Sequence, residues 1–124
     1  MKNFYIDGQW VVPVSTSTLS VLNPALNEQI GTVSLGNSDD VDKAVAAAKA
    51  AFASYSQTSK AERLALLKRL KEETEKRFVD MAQAISMEMG APITMARDAQ
   101  ADAAVGRLQG FIESLEELHE RMDL

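Results

Sequence analysis

The feature that most constrains this chain is a change of character at Ser38. Ahead of it the only formally charged side chains are Lys2, Asp7 and Glu28. From Asp39 onward the sequence is dense in Ala, Leu, Glu, Lys and Arg, the residues that lose least on entering a helix. Residues 1–37 therefore read as a β arm and residues 38–124 as a helical segment, an α+β arrangement. The 124 residues leave room for one modest core, but not for a nucleotide-binding domain beside a separate substrate domain.

The arm opens with Phe4-Tyr5-Ile6-Asp7-Gly8-Gln9-Trp10-Val11-Val12. Asp-Gly between aromatic and β-branched residues predicts a two-residue hairpin, because a type I′ turn needs positive φ at both central positions. Pro13 stops the second strand, since it cannot donate to a ladder. A polar stretch, Ser15 to Ser20, then leads into a strand over Leu19–Leu22 that ends at Asn23-Pro24. Its antiparallel partner is expected over Ile30–Val33, with Asn27-Glu28 in the turn. The arm is thus a hairpin or short meander.

Three helices are expected after it. The first has Ser38 as N-cap and Asp39, Asp40 and Asp42 in its positive first turn. Its stripe of Val41, Ala44, Val45, Ala48 and Phe52 is made mostly of small residues, which let a neighbour approach closely. The second begins with a capping box, Ser59-Lys60-Ala61-Glu62. Leu64, Leu67, Leu70, Thr74, Phe78, Met81 and Ile85 follow at steps of three or four, with Glu72/Lys76 and Glu73/Arg77 pairs on the other face. It is expected to run about 30 residues, against a mean nearer 11–12, to Met89, where Gly90 and Pro92 end it. The third starts at Pro92 or Ile93 and presents Ile93, Ala96, Ala103, Leu108, Phe111, Leu115 and Leu118. Gly106 and Gly110, four apart, suggest a close helix crossing. No glycine or proline ends this helix, which is expected to run on through His119.

Composition excludes several classes. With 18 acidic and 13 basic residues the formal net charge is −5, which is the wrong sign for displacing counterions from nucleic acid. No apolar run approaches the roughly 20 residues that span a bilayer, and the first residues lack the apolar stretch of a secretory signal. The chain has no cysteine, so it has no disulfide, thiolate zinc site or cysteine nucleophile. These features suggest the cytoplasm.

A search for chemistry is mostly negative. The six glycines are scattered and form no phosphate-cradling loop. The single histidine, His119, lies among Glu116, Glu117 and Glu120 and reads as a solvated surface group. Glu72, Glu73 and Glu75 fit a solvated helix face. Glu88 differs, because a carboxylate near a helix C-terminus is disfavoured by the dipole and wants a compensating cation. Phe4, Tyr5 and Trp10 read as a hairpin packing on a core rather than as a base-stacking platform. Met87, Met89 and Met95 read as core filler.

Several segments form a set: Phe4-Tyr5-Ile6-Asp7-Gly8-Gln9-Trp10, Leu22-Asn23-Pro24, and Ile30-Gly31-Thr32-Val33. Asp39-Asp40-Val41-Asp42-Lys43-Ala44-Val45 follows with Ala51-Phe52, then Ala61-Glu62-Arg63 with Leu66-Leu67. Last come Glu88-Met89-Gly90-Ala91-Pro92 and Ala96-Arg97-Asp98-Ala99-Gln100. In this order and spacing they closely resemble the N-terminal part of the NAD(P)-dependent aldehyde dehydrogenase superfamily. Ala91 departs from the pattern, since many members carry lysine there.

The resemblance implies a piece of an α/β enzyme with a Rossmann-like cofactor domain, a catalytic domain and an oligomerisation hairpin. In that family a cysteine attacks the aldehyde, hydride passes to NAD or NADP, and a glutamate-activated water releases the acid. Those residues come later in the family's order, so the resemblance carries over no catalytic and no cofactor-binding residue. It does carry over one site. Many members hold a structural monovalent cation on backbone carbonyls just before the Asn-Pro and on a carboxylate before the Gly-x-Pro. The matching positions are Val21, Leu22 and Glu88. The family's helices pack on the cofactor domain, so the implied partner is the remainder of the enzyme. The chain is then an inactive N-terminal fragment. The alternative is a non-catalytic, self-associating helical module. A third reading, an enzyme of unrelated chemistry, finds no credible site.

Overall fold

Turn chemistry builds both hairpins of the arm. The structure, a computed structural model, describes residues 3–118. Strands β1 (Phe4–Ile6) and β2 (Gln9–Val11) pair antiparallel, Tyr5 opposite Trp10. Asp7 (φ 53°) and Gly8 (φ 74°) form the expected positive-φ turn between them. Strands β3 (Thr18–Asn23) and β4 (Glu28–Ser34) form a second two-stranded sheet, each longer than its sequence pattern suggested. The turn spans Pro24–Asn27, so Glu28 belongs to the strand and not to the turn. The Asn23 side chain accepts from Ala25 N–H at 2.9 Å, and Asn27 (φ 55°) donates to Asn23 O at 2.8 Å. The register shifts between Val21, opposite Gly31, and Leu22, opposite Gln29. Ile30 is the extra residue of this bulge.

Helix α1 (Ser38–Tyr55) is capped by Asn37 rather than Ser38. The Asn37 side chain accepts from Asp40 N–H at 3.1 Å while the Asp40 carboxylate accepts from Asn37 N–H at 3.1 Å. This reciprocal box places Ser38 inside the helix. Ala44, Ala47, Ala48 and Ala51 line a hollow with Tyr5, Ile6, Asp7 and Gly8. The rest of the expected stripe is not packed, with Val41 and Phe52 58% and 67% exposed.

The chain divides by packing into two compact units, Met1–Gln57 and Thr58–Leu124. The composition boundary at Ser38 marks where helices begin, whereas the packing boundary leaves α1 with the strands.

In the second unit the expected long helix is two helices, α2 (Lys60–Lys76) and α3 (Phe78–Met89). Arg77, at φ −101° and ψ 9°, interrupts them and donates back to Thr74 O at 3.1 Å, a tightened turn. The local cause is Thr74, whose hydroxyl donates to Leu70 O at 2.8 Å; such back-bonding bends helices. The apolar steps run straight across the break, so the pattern alone does not reveal it. The Ser59 box forms as expected, with Ser59 N–H donating to Glu62 at 2.7 Å. The surface pairs are not the expected ones: Lys71–Glu75 lie at 2.9 Å and Lys76–Glu73 at 2.6 Å. Gly90 (φ 71°) ends α3 as expected, donating to Ser86 O at 3.0 Å.

The third expected helix is resolved into α4 (Ile93–Met95), a widened π segment (Ala96–Ala101) and α5 (Asp102–Glu117). α3 packs on the π segment and α2 on α5. Ala82, Ala96, Ala101 and Ile112 are the buried apolar side chains among the described residues of this unit. Phe111, expected on the packed face, is 64% exposed. Gly106 and Gly110 mark no close crossing, as nothing lies within 4 Å of where a Cβ would stand. Helix α5 also stops at Glu117 rather than running on. His119 lies outside the described residues.

Candidate functional site

The most fully built polar cluster is centred on Asp40, which is 5% exposed. Its carboxylate accepts from Val14 N–H at 2.9 Å, Asn37 N–H at 3.1 Å and Ser15 N–H at 3.5 Å. Asp40 thereby fixes both the start of α1 and the segment that joins the two hairpins. Gly36 lets the Phe4 ring close over this corner, since a Cβ there would stand 3.2 Å from the ring. The Val14 N–H contributes most to holding the Asp40 carboxyl below the usual carboxylate range, aided by Asn37, Ser15 and Lys43 and opposed by burial. The sequence showed Asp40 only as a first-turn acid; the Asn37-x-x-Asp40 spacing was the available signal for the box. Its contacts to Val14 and Ser15, 26 and 25 residues away, left no such signal. This cluster is a clasp and carries no reacting group.

The three residues matched to the family's cation site are distributed as follows. Val21 and Leu22 adjoin on β3, opposite the bulge whose extra residue is Ile30 on β4. Glu88 lies near the end of α3 in the second unit, exposed, two residues before Gly90. Among the described residues Glu88 has no ion-pair partner, and no group of three or more His, Cys, Asp or Glu side chains is placed to hold a metal.

Of the aromatic residues of the first hairpin, Phe4 packs at the Gly36–Asp40 corner, whereas Tyr5 and Trp10 do not pack on a core. Tyr5 and Trp10 are 62% and 71% exposed and meet edge to face, with ring centroids 5.2 Å apart. Met87, Met89 and Met95 are likewise at least 48% exposed and fill no core. A second open hollow, among Leu67, Phe111, Ser114, Leu115 and Leu118, is almost wholly apolar. No described helix is long and apolar enough to cross a membrane. The described surface offers apolar cover sites and structural polar clasps, and the contact of the Ser59 hydroxyl with Glu62 at 2.8 Å belongs to the capping box of α2.

Residues 10–123 match the model of the aldehyde dehydrogenase family. A 3-succinoylsemialdehyde-pyridine dehydrogenase from Pseudomonas sp. is 44% identical over 106 residues, which cover 85% of this chain and 22% of that enzyme. Among solved structures, an aldehyde dehydrogenase from Bartonella henselae superposes with a TM-score of 0.95 at 41% identity, over 99% of this chain and 26% of its own. A variant of aldehyde dehydrogenase C from Pseudomonas syringae, solved with NAD+ and octanal, gives a TM-score of 0.92 at 42% identity, over 95% of this chain and 24% of its own. The chain belongs to the aldehyde dehydrogenase family, and its extent is that of an N-terminal fragment of such an enzyme. It spans about a fifth to a quarter of these relatives' lengths.

The clasp makes two predictions for urea or thermal unfolding. Asn37→Ala lowers stability by about 1 kcal/mol, the usual effect of losing an N-cap. The depressed Asp40 pKa gives stability that is complete above the unfolded value near pH 4. That stability is lost as pH falls through the lower folded value, and Asp40→Asn flattens this acid limb. An unchanged acid limb in Asp40→Asn contradicts the assignment.

Proposed function

We propose that the chain is the N-terminal part of an NAD(P)-dependent aldehyde dehydrogenase, that it supplies scaffold rather than chemistry, and that it is inactive alone. The observation that carries this reading is that 99% of its fold superposes on a chain of which it makes up only 26%. In the family reaction an aldehyde and water become a carboxylic acid while NAD(P) accepts the hydride. The first step requires a thiolate, and these 124 residues contain no cysteine. The NAD+ bound to the Pseudomonas syringae relative supports NAD for the whole enzyme. The purified chain is expected to reduce no NAD with any aldehyde and to show no rise in melting temperature with millimolar NAD. A cofactor-dependent stabilisation overturns this reading.

The proposed partner is the remaining polypeptide of the enzyme. Phe52, Phe111, Val79 and Met89, all more than 60% exposed, are the kind of apolar surface that a partner covers. The acidic balance speaks against nucleic acid, and the lack of cysteine suits the cytoplasm. A second reading, a non-catalytic self-associating module, rests on the same exposed side chains. Both readings predict association of the isolated chain in size exclusion with light scattering. A compact monomer with a cooperative melt contradicts this expectation of both.

A structural monovalent cation is part of the same proposal. The Val21 and Leu22 carbonyls and the Glu88 carboxylate are all oxygen donors, the chemistry that suits hard cations. If these residues hold a cation, the enzyme containing them melts higher in potassium chloride than in choline chloride, and Glu88→Gln abolishes the difference. Equal melts in the two salts refute it.

A further inference from the structure

We propose that Lys60 is a strap that ends α5 and holds Leu118 beside the start of α2. The last carbonyls of a helix have no donors within it. Helix α5 is followed by neither glycine nor proline, and Leu118-His119-Glu120-Arg121 gives no local signal to stop. It nevertheless ends at Glu117, and Leu118 adopts φ −63° and ψ 116°. The Leu118 N–H still donates to Ser114 O at 3.0 Å, so the departure lies on the carbonyl side.

There the Lys60 ammonium donates to Glu116 O at 2.9 Å and to Leu118 O at 2.8 Å. In a continued helix the Leu118 carbonyl would point along the axis toward the next turn; at ψ 116° it turns out to the ammonium instead. The dipoles favour the exchange. Lys60 is the first residue of α2, where a cation is disfavoured, and it reaches the negative end of α5, where a cation is favoured. Its partners lie 56 and 58 residues away in sequence, so this is a tertiary cap and not a local one. Lys68 makes a separate contact to the Glu116 side chain at 2.7 Å and touches neither carbonyl.

The strap has a consequence for the surface. Leu118 lines the apolar hollow with Leu67, Phe111 and Leu115. It also lines a more polar one with Thr58, Ser59, Lys60 and Arg63. Holding Leu118 extended therefore sets one wall of both. Loss of the Lys60 ammonium releases that wall into the helix.

Backbone chemical shifts at Leu118 test this in the full chain. The shifts are extended in the unaltered protein and turn helical in Lys60→Gln, while Lys60→Arg, which keeps the cation and its donors, restores them. Lys68→Met leaves Leu118 extended. A Leu118 that stays extended in Lys60→Gln, or turns helical in Lys68→Met, overturns the proposal. A measurement on the unaltered chain does not depend on the variants folding: the Lys60 ammonium protons exchange with water more slowly than those of exposed Lys49, and equal rates contradict the strap.

Discussion

Every helix of this chain carries more apolar side chain than its neighbours cover, and that constraint governs the rest of the structure. Val45 and Phe52 on α1, Leu66 and Leu70 on α2, Val79 and Met89 on α3 and Phe111 on α5 all remain more than 40% exposed. Full burial of such a side chain contributes about 1.5–3 kcal/mol, so much of the available hydrophobic stabilisation is not realised within these residues. What is closed is closed by alanine: Ala82, Ala96 and Ala101 let α3 and the π segment approach one another. Local order then depends on polar devices that act without a large core. These are the Asp40 clasp, the Ser59–Glu62 box, the Gly90 cap and the Lys60 contacts to the end of α5.

The same constraint links structure to family. A fold that superposes almost entirely on a quarter of a larger enzyme is expected to present faces shaped for chain it does not contain. Membership of the aldehyde dehydrogenase family assigns these faces no chemistry, and on the proposed reading the remaining polypeptide of the enzyme covers them. Asp40, buried and bound by three backbone donors, is structural on this view.

Most features whose partners lie within a few residues were legible in the sequence, the Asn37–Asp40 box being missed because the adjacent Ser38 is an equally good cap. Asp7-Gly8 announces its turn, Ser59 and Glu62 their box, and Gly90 its left-handed cap, because each is a local requirement. The interruption at Arg77 was not, because a Thr74 hydroxyl turned back on Leu70 leaves the apolar period intact. The π segment, the reach of Asp40 to Val14 and that of Lys60 to Leu118 were also invisible, since a linear pattern does not encode tertiary distance. Periodicity correctly gave helices but misjudged cover: it put Phe111 and the methionines inside, where only an additional layer would bury them. Of the candidate site, the sequence supplied Val21, Leu22 and Glu88 through family resemblance; the bulge beside the first two is a structural addition.

If these residues are the scaffold portion of an aldehyde dehydrogenase, they can stand in for the same portion of a relative. The corresponding segment of active Pseudomonas syringae aldehyde dehydrogenase C, 42% identical, is replaced by this chain. Octanal-dependent reduction of NAD+ is then followed in the purified hybrid. The expected hybrid melts cooperatively and retains turnover, because the exchanged part holds the fold and the remainder performs the reaction. A hybrid that fails to fold as one unit, or that folds and binds NAD+ but does not oxidise the aldehyde, would contradict the scaffold role.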